Sequence, residues 1–163
     1  MQFFFVFLMI FCISQETLAS YQSTNLFYTV SWGNISLAKS QLDYIFFSDK
    51  VKITAQVSSK GLVSLFKGFE SFAEAELVKK NVKWNPRLLS MKRVSGRKNI
   101  ESTVIWNNDG SILSETRVPE LDLAEVFPLE NWMRVKVLDP YSAVLRLIDQ
   151  VEATGKCDAR FEI

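Results

Sequence analysis

The chain has no histidine among its 163 residues. That absence excludes Ser-His-Asp and Cys-His catalysis and removes the commonest metal ligand. Cysteine is almost missing as well: Cys12 and Cys157 are the two, so zinc sites built from Cys and His are excluded. No metal site and no cofactor is expected. There is also no excess of charge, since 19 basic and 18 acidic residues leave +1. Such a balance gives no reason to expect nucleic acid or an anionic membrane surface as a partner. No apolar run reaches the roughly 20 residues that a bilayer-spanning helix needs, so no stable transmembrane anchor is expected. The four prolines and six glycines form no linker or low-complexity tract, and no internal repeat is visible.

The longest apolar run is Phe3 to Ile13, followed by Ser14-Gln15-Glu16-Thr17-Leu18-Ala19. It reads as the core of a secretory signal peptide, with Thr17 and Ala19 at the two small-residue positions a signal peptidase gauges. The segment before it carries no Lys or Arg. Phe11 precedes Cys12, and its bulk rules out lipid attachment there. Residues 1–19 are expected to be cleaved, leaving residues 20–163 as a single β-rich domain. Cleavage removes one acid, Glu16, which brings the net charge to +2. The mature domain keeps only Cys157, which is either free or half of a disulfide with a partner beyond residue 163.

Within the mature part, residues 26–32 are rich in β-branched and aromatic types, and Gly33-Asn34 separates them from a similar stretch at 35–47. This pattern predicts a hairpin. Residues 50–58 alternate polar and apolar, as a half-buried strand does. Leu62, Leu65, Phe66 and Phe69 recur at helical spacing between Gly61 and Gly68, which predicts a short amphipathic helix over 61–69. It reads either as a lid plugging the end of a sheet or as a gate over an apolar cavity. Residues 70–79 alternate again and are read as a strand, although their Ala and Glu also suit a helix. Trp84-Asn85-Pro86 is read as a turn. Two strands follow at 87–95 and 98–107, joined by Gly96-Arg97, and Asn107-Asn108-Asp109-Gly110 predicts a tight turn into 111–117.

Residues 119–138 carry Pro119 and Pro128 and read as a loop with one helical turn. Asp139-Pro140 opens the clearest helix, with Asp139 as cap and Pro140 at the first position. Ala143, Val144, Leu147, Ile148 and Val151 are expected to form its buried stripe, with Arg146, Asp149 and Gln150 opposite. Thr154-Gly155 ends it, and residues 157–163 begin a further strand that the chain does not complete.

Few groups suggest chemistry. Asp43, Asp49, Glu70, Glu74, Glu76, Asp139, Asp149 and Asp158 show no calcium-loop spacing, and no carboxylate pair stands out, so the protein is expected not to be an enzyme. Lys92, Arg93, Arg97 and Lys98 surround a turn; they read as a solvated surface or as a contact for phosphate or lipid head groups. Lys79, Lys80 and Lys83 read as surface. The tryptophans, Trp32 and Trp106 among them, read either as core or as the lining of a groove for an apolar ligand. Asn34-Ile35-Ser36 fits a glycosylation sequon, relevant only in a eukaryotic secretory route. The ligand-binding candidates are therefore Leu62, Leu65, Phe66, Phe69, Trp32 and Trp106.

Four stretches resemble the bacterial exported family known as domain of unknown function 3108. They are Tyr28-Thr29-Val30-Ser31-Trp32-Gly33-Asn34-Ile35, then Gly61 to Phe66 with Phe69-Glu70 and Ala73-Glu74-Ala75, then Asp139-Pro140-Tyr141-Ser142-Ala143-Val144-Leu145, and finally Cys157-Asp158 with Phe161. The resemblance implies a periplasmic, Gram-negative envelope protein with no assigned activity. It also implies a curved antiparallel sheet or open β-barrel, broadly similar to periplasmic lipoprotein carriers, with one short and one longer helix. Family members run on past the Cys-Asp strand to a second cysteine able to pair with the first, so the domain is expected to lack its last strands. Two functions follow as expectations: binding of a lipid or other apolar envelope ligand, or a protein-interaction or structural module with a solid core.

Overall fold

The structure is a computed structural model, and it describes residues 21–120 and 138–157, without the side chains of Leu62, Phe66 and Lys67. The expected signal peptide, residues 121–137 of the loop expected at 119–138, and residues 158–163 of the expected last strand lie outside the described residues.

Seven strands form one antiparallel sheet: β1 (Gln22–Trp32), β2 (Ile35–Phe46), β3 (Lys50–Ser59), β4 (Phe69–Lys80), β5 (Lys83–Ser95), β6 (Lys98–Trp106) and β7 (Ile112–Val118). Their order in the sheet is their order in the chain. Helix α1 (Gly61–Lys67) joins β3 to β4, and α2 (Pro140–Thr154) follows the sheet. The mainly β architecture with one short and one longer helix is the expected one. The sheet is open and uncurled, where the resemblance implied a curved sheet or open barrel, and β1 and β7 are the edges of the described strands.

Period-2 alternation assigns the faces. Tyr44, Val51, Ile53, Ala75, Leu77, Trp84, Leu89 and Trp106 share one face and are buried with Leu145 of α2. Tyr44 stacks on Phe46 at 6.1 Å, and Phe46 meets the edge of Trp84 at 6.3 Å. The opposite face carries Lys52, Glu74, Lys92 and Glu101 in two cross-strand ion pairs of 2.5 and 2.7 Å. Those pairs are exposed to water and contribute little to stability.

Two further expectations need correction. Trp84-Asn85-Pro86 is not a turn but lies inside β5. The turn is Asn81-Val82, where φ is 48° and 68°. Two consecutive positive φ values make the two-residue hairpin whose twist matches its strands. Valine has no preference for that region, so the sequence carries no turn signal there.

The second correction concerns the roll of α2. Its cap is as expected: Asp139 Oδ1 accepts from the amides of Tyr141 and Ser142 at 2.9 and 3.2 Å, and Ser142 Oγ donates to Oδ2. Gly155 ends the helix in the left-handed region at φ 67°. Of the expected stripe, Ala143 is buried and Leu147 half-buried, but Val144, Ile148 and Val151 are exposed, and the face on the sheet includes Ser142, Leu145, Arg146 and Asp149. Arg146 fixes this roll. Its Nε donates to Trp84 O at 2.7 Å and its Nη2 to Asn85 Oδ1 at 3.0 Å. Lys79 Nζ reinforces it by pairing with Asp149 at 3.3 Å while sitting 5.1 Å from the Trp84 ring centroid. Hydropathy ranks these side chains as outward, but half-buried carbonyl and amide oxygens on β5 need donors.

The observed roll makes opposite demands on neighbouring helix positions. Leu145→Ala is expected to destabilise by about 2–5 kcal/mol and Arg146→Ala by about 1–3 kcal/mol, whereas Ile148→Lys should stay within about 0.5 kcal/mol. Urea unfolding of the three variants checks this, and a large loss at Ile148 would contradict the roll. Separately, Val82→Gly is expected to raise stability by about 1 kcal/mol, because glycine adopts positive φ without the Cβ conflict.

Candidate functional site

The two ends of the sheet differ. One end holds the β1–β2 turn, α1 and the β5–β6 turn. The other holds the β2–β3, β4–β5 and β6–β7 turns, and α2 packs over that half of the sheet.

At the first end, α1 is anchored by backbone contacts. Lys60 N donates to Leu37 O at 2.7 Å, and Phe69 N donates to Ser59 Oγ at 3.0 Å. Gly61, at φ 56°, sits so close to Ser36 that a Cβ would lie 3.0 Å from its carbonyl oxygen. Leu65 projects from α1 with 79% of its surface exposed, and Trp32 ends β1 with 78% exposed. Phe69 is half-buried, with the Arg93 guanidinium 5.9 Å from its ring centroid. The side chains of Leu62 and Phe66 lie outside the described residues.

Trp106 is at the far end, 4% exposed within the core, and its indole N–H has no hydrogen-bond partner among the described residues. Trp32, Leu65 and Phe69 thus share one end of the sheet, and Trp106 does not join them. Alternation also divides the basic cluster. Lys92 lies on the outer face, paired with Glu101, and Arg93 lies on the α2 side over Phe69. Cys157 is a free, exposed thiol.

An interaction module implies an exposed sheet edge or patch as its contact, but the sequence does not single out the strand. β1 is exposed at every residue except Leu26, including Phe27 at 72%. Its eleven residues contain no Lys, Arg, Asp, Glu or Pro. The other edge, β7, is seven residues long, carries Glu115 and Arg117, and runs into Pro119. Short length, charge and proline are the usual protections of an exposed edge. β7 has all three, and β1 has none. A bulge near the end of β1, where Leu37 of β2 is the extra residue, is the one irregularity in its pairing.

At the second end, a groove of about 600 Å³ is lined by Phe47, Lys50, Val78, Lys80, Arg87, Asn108 and their neighbours. A smaller one of about 460 Å³ shares Lys80 and Asn108. Among the described residues, no group of three metal-binding side chains occurs, and no helix is long and apolar enough to cross a membrane. Comparison with family models, curated proteins and solved structures returned no match.

Burial perturbs two tyrosines beside the cap of α2. Desolvation, and secondly Tyr28, raises the Tyr44 pKa above 10.0. Desolvation, then Tyr44 and Asp139, raises that of Tyr141. A folded-state pKa above the unfolded one means stability is intact below pH 10 and falls as pH rises past it. Urea midpoints measured between pH 8 and 11 should show that fall, and Tyr44→Phe with Tyr141→Phe should flatten it. An unchanged slope in the double variant would assign the loss to other groups.

Proposed function

We propose that this protein is a non-enzymatic, exported envelope module that binds a partner protein by adding an extended segment of that partner to β1. The supporting observation is the contrast between the two edges of one sheet. A long edge without charge or proline presents a row of backbone groups that no other described strand pairs, a ready template for another strand. Its side chains supply specificity: Tyr28, Val30 and Trp32 alternate on one face, with Phe27 and Thr29 on the other. The periplasmic location rests on the signal-peptide reading of residues 1–19 and on the family resemblance.

A second reading, uptake of a lipid or other apolar ligand, draws on the exposed Trp32 and Leu65 at the α1 end. The two readings differ in what β1 touches. A photocrosslinking amino acid placed at Phe27, Thr29 or, as the control edge, Thr116 reports this in intact cells. Strand addition predicts a discrete protein adduct from β1 and none from β7, lost in the Phe27→Lys, Val30→Lys double variant. Adducts from β7 alone would sink the proposal, and organic-extractable adducts at β1 would shift it to the lipid reading.

A further inference from the structure

The groove at the second end of the sheet is lined by more cations than acids. The five cations are Lys50, Lys52, Lys79, Lys80 and Arg87, against the acids Asp49 and Glu76. Two are already matched. Lys52 bonds Glu74 at 2.5 Å and also feels Glu76, and Lys79 pairs with Asp149. Among the described residues, no carboxylate lies within ion-pair distance of Lys50, Lys80 or Arg87.

Lys80 and Arg87 converge on a neutral group. Lys80 Nζ donates to Asn108 Oδ1 at 3.0 Å and to Asn108 O at 3.2 Å. Arg87 Nη1 donates to the same Oδ1 at 2.9 Å and to Trp106 O at 3.2 Å. One amide oxygen therefore holds two cations together, which is repulsive without an anion. Asp109 feels the field of Lys80 without lying in ion-pair contact with it, and its Oδ1 accepts from the amide and hydroxyl of Ser111 at 2.9 and 2.6 Å.

The backbone is specialised at this point. The β4–β5 register shifts between Glu76 and Leu77, which pair with Leu88 and Pro86, so Arg87 is the extra residue of a bulge. A bulge re-aims the side chain it carries and is over-represented beside functional sites. Here it turns a half-buried guanidinium toward a lysine and a groove. Phe47 and Val78 give the groove an apolar wall.

We infer that this groove is a binding site for a phosphate-bearing ligand, held by Arg87 and Lys80 with Lys50 at the rim. Phosphate offers several oxygens to a planar guanidinium and an ammonium at once, and its charge turns their repulsion into attraction. The ligand is either a soluble phosphate ester or a lipid head group. The site is separate from β1 and does not depend on the strand-addition reading.

Amide shifts of the ¹⁵N-labelled full chain, followed on titration with glycerol phosphate against chloride at equal ionic strength, test it. Expected are saturable shifts at Lys80, Arg87 and Asn108. Arg87→Gln and Lys80→Gln should each weaken binding at least tenfold, and Lys92→Gln, at the other end of the sheet, should not. Co-flotation with phosphatidylcholine vesicles with and without phosphatidic acid, read for the same variants, forms the lipid arm. Arg87-dependent binding in the soluble arm identifies an ester site, and in the vesicle arm a head-group site. Failure of both arms, or binding that the Arg87 and Lys80 variants leave unchanged, overturns the inference. Lys80 is exposed, so its variant keeps the test decisive if Arg87→Gln does not fold.

Discussion

A sheet of seven strands spaced about 4.8 Å apart is close to 30 Å wide. The fifteen-residue α2 is about 22 Å long and about 10 Å across, so it covers only part of one face. Among the described elements, that limited contact governs how the sheet face is filled. Large apolar side chains gather where α2 lies: Ile53, Leu77, Trp84, Leu89 and Trp106. Further along, the same face carries the small buried residues Ala38, Ala55 and Ala73. Edge strand β1 lies beyond both and keeps aromatic side chains in the open. Exposure at Tyr28 and Trp32 follows from the same geometry that buries Trp84.

The contact between α2 and the sheet is not a simple apolar seam. Leu145 supplies the hydrophobic burial, but Arg146, Asp149 and the Asp139–Ser142 cap supply direction. Apolar contact alone would allow the helix to roll, since its hydrophobic stripe and its sheet-facing stripe differ. The guanidinium is partly desolvated, which lowers its pKa, and the field of Asp139 opposes that shift. Its two bonds to Trp84 O and Asn85 Oδ1 offset that desolvation and select one orientation. A half-buried polar anchor trades some burial energy for a unique packing.

Much of this fold was legible in the sequence because the local signals agreed. Gly33-Asn34, Gly96-Arg97 and Asp109-Gly110 mark turns with residues that accept positive φ, and all three occur there. Asp139-Pro140 and Gly155 mark the ends of α2 by capping chemistry alone. The misreadings share one origin. Asn81-Val82 has a residue atypical of its conformation, and the exposed stripe of α2 has a hydropathy opposed to its position. In both places a tertiary demand overrode local preference: β5 needed Trp84 inside the sheet, and its backbone needed Arg146. The candidate groove was harder still. Lys80 and Arg87 are seven positions apart, and no spacing rule joins them. Only the hairpin and its bulge bring them to one oxygen.

Bulges carry much of the individuality of this protein. A regular meander offers two flat faces and two edges, with little to distinguish one ligand from another. Three register shifts break that regularity, with Leu37, Arg87 and Leu113 as the extra residues. Each has a different consequence. Leu37 turns its carbonyl to Lys60 and so seats α1 on the end of the sheet. Leu113 is left exposed on β7, where charge on the same strand limits its use as a contact. Arg87 alone brings a charged side chain toward another charge of the same sign. Two like charges on one oxygen repel, and the phosphate proposed for the groove would relieve that repulsion.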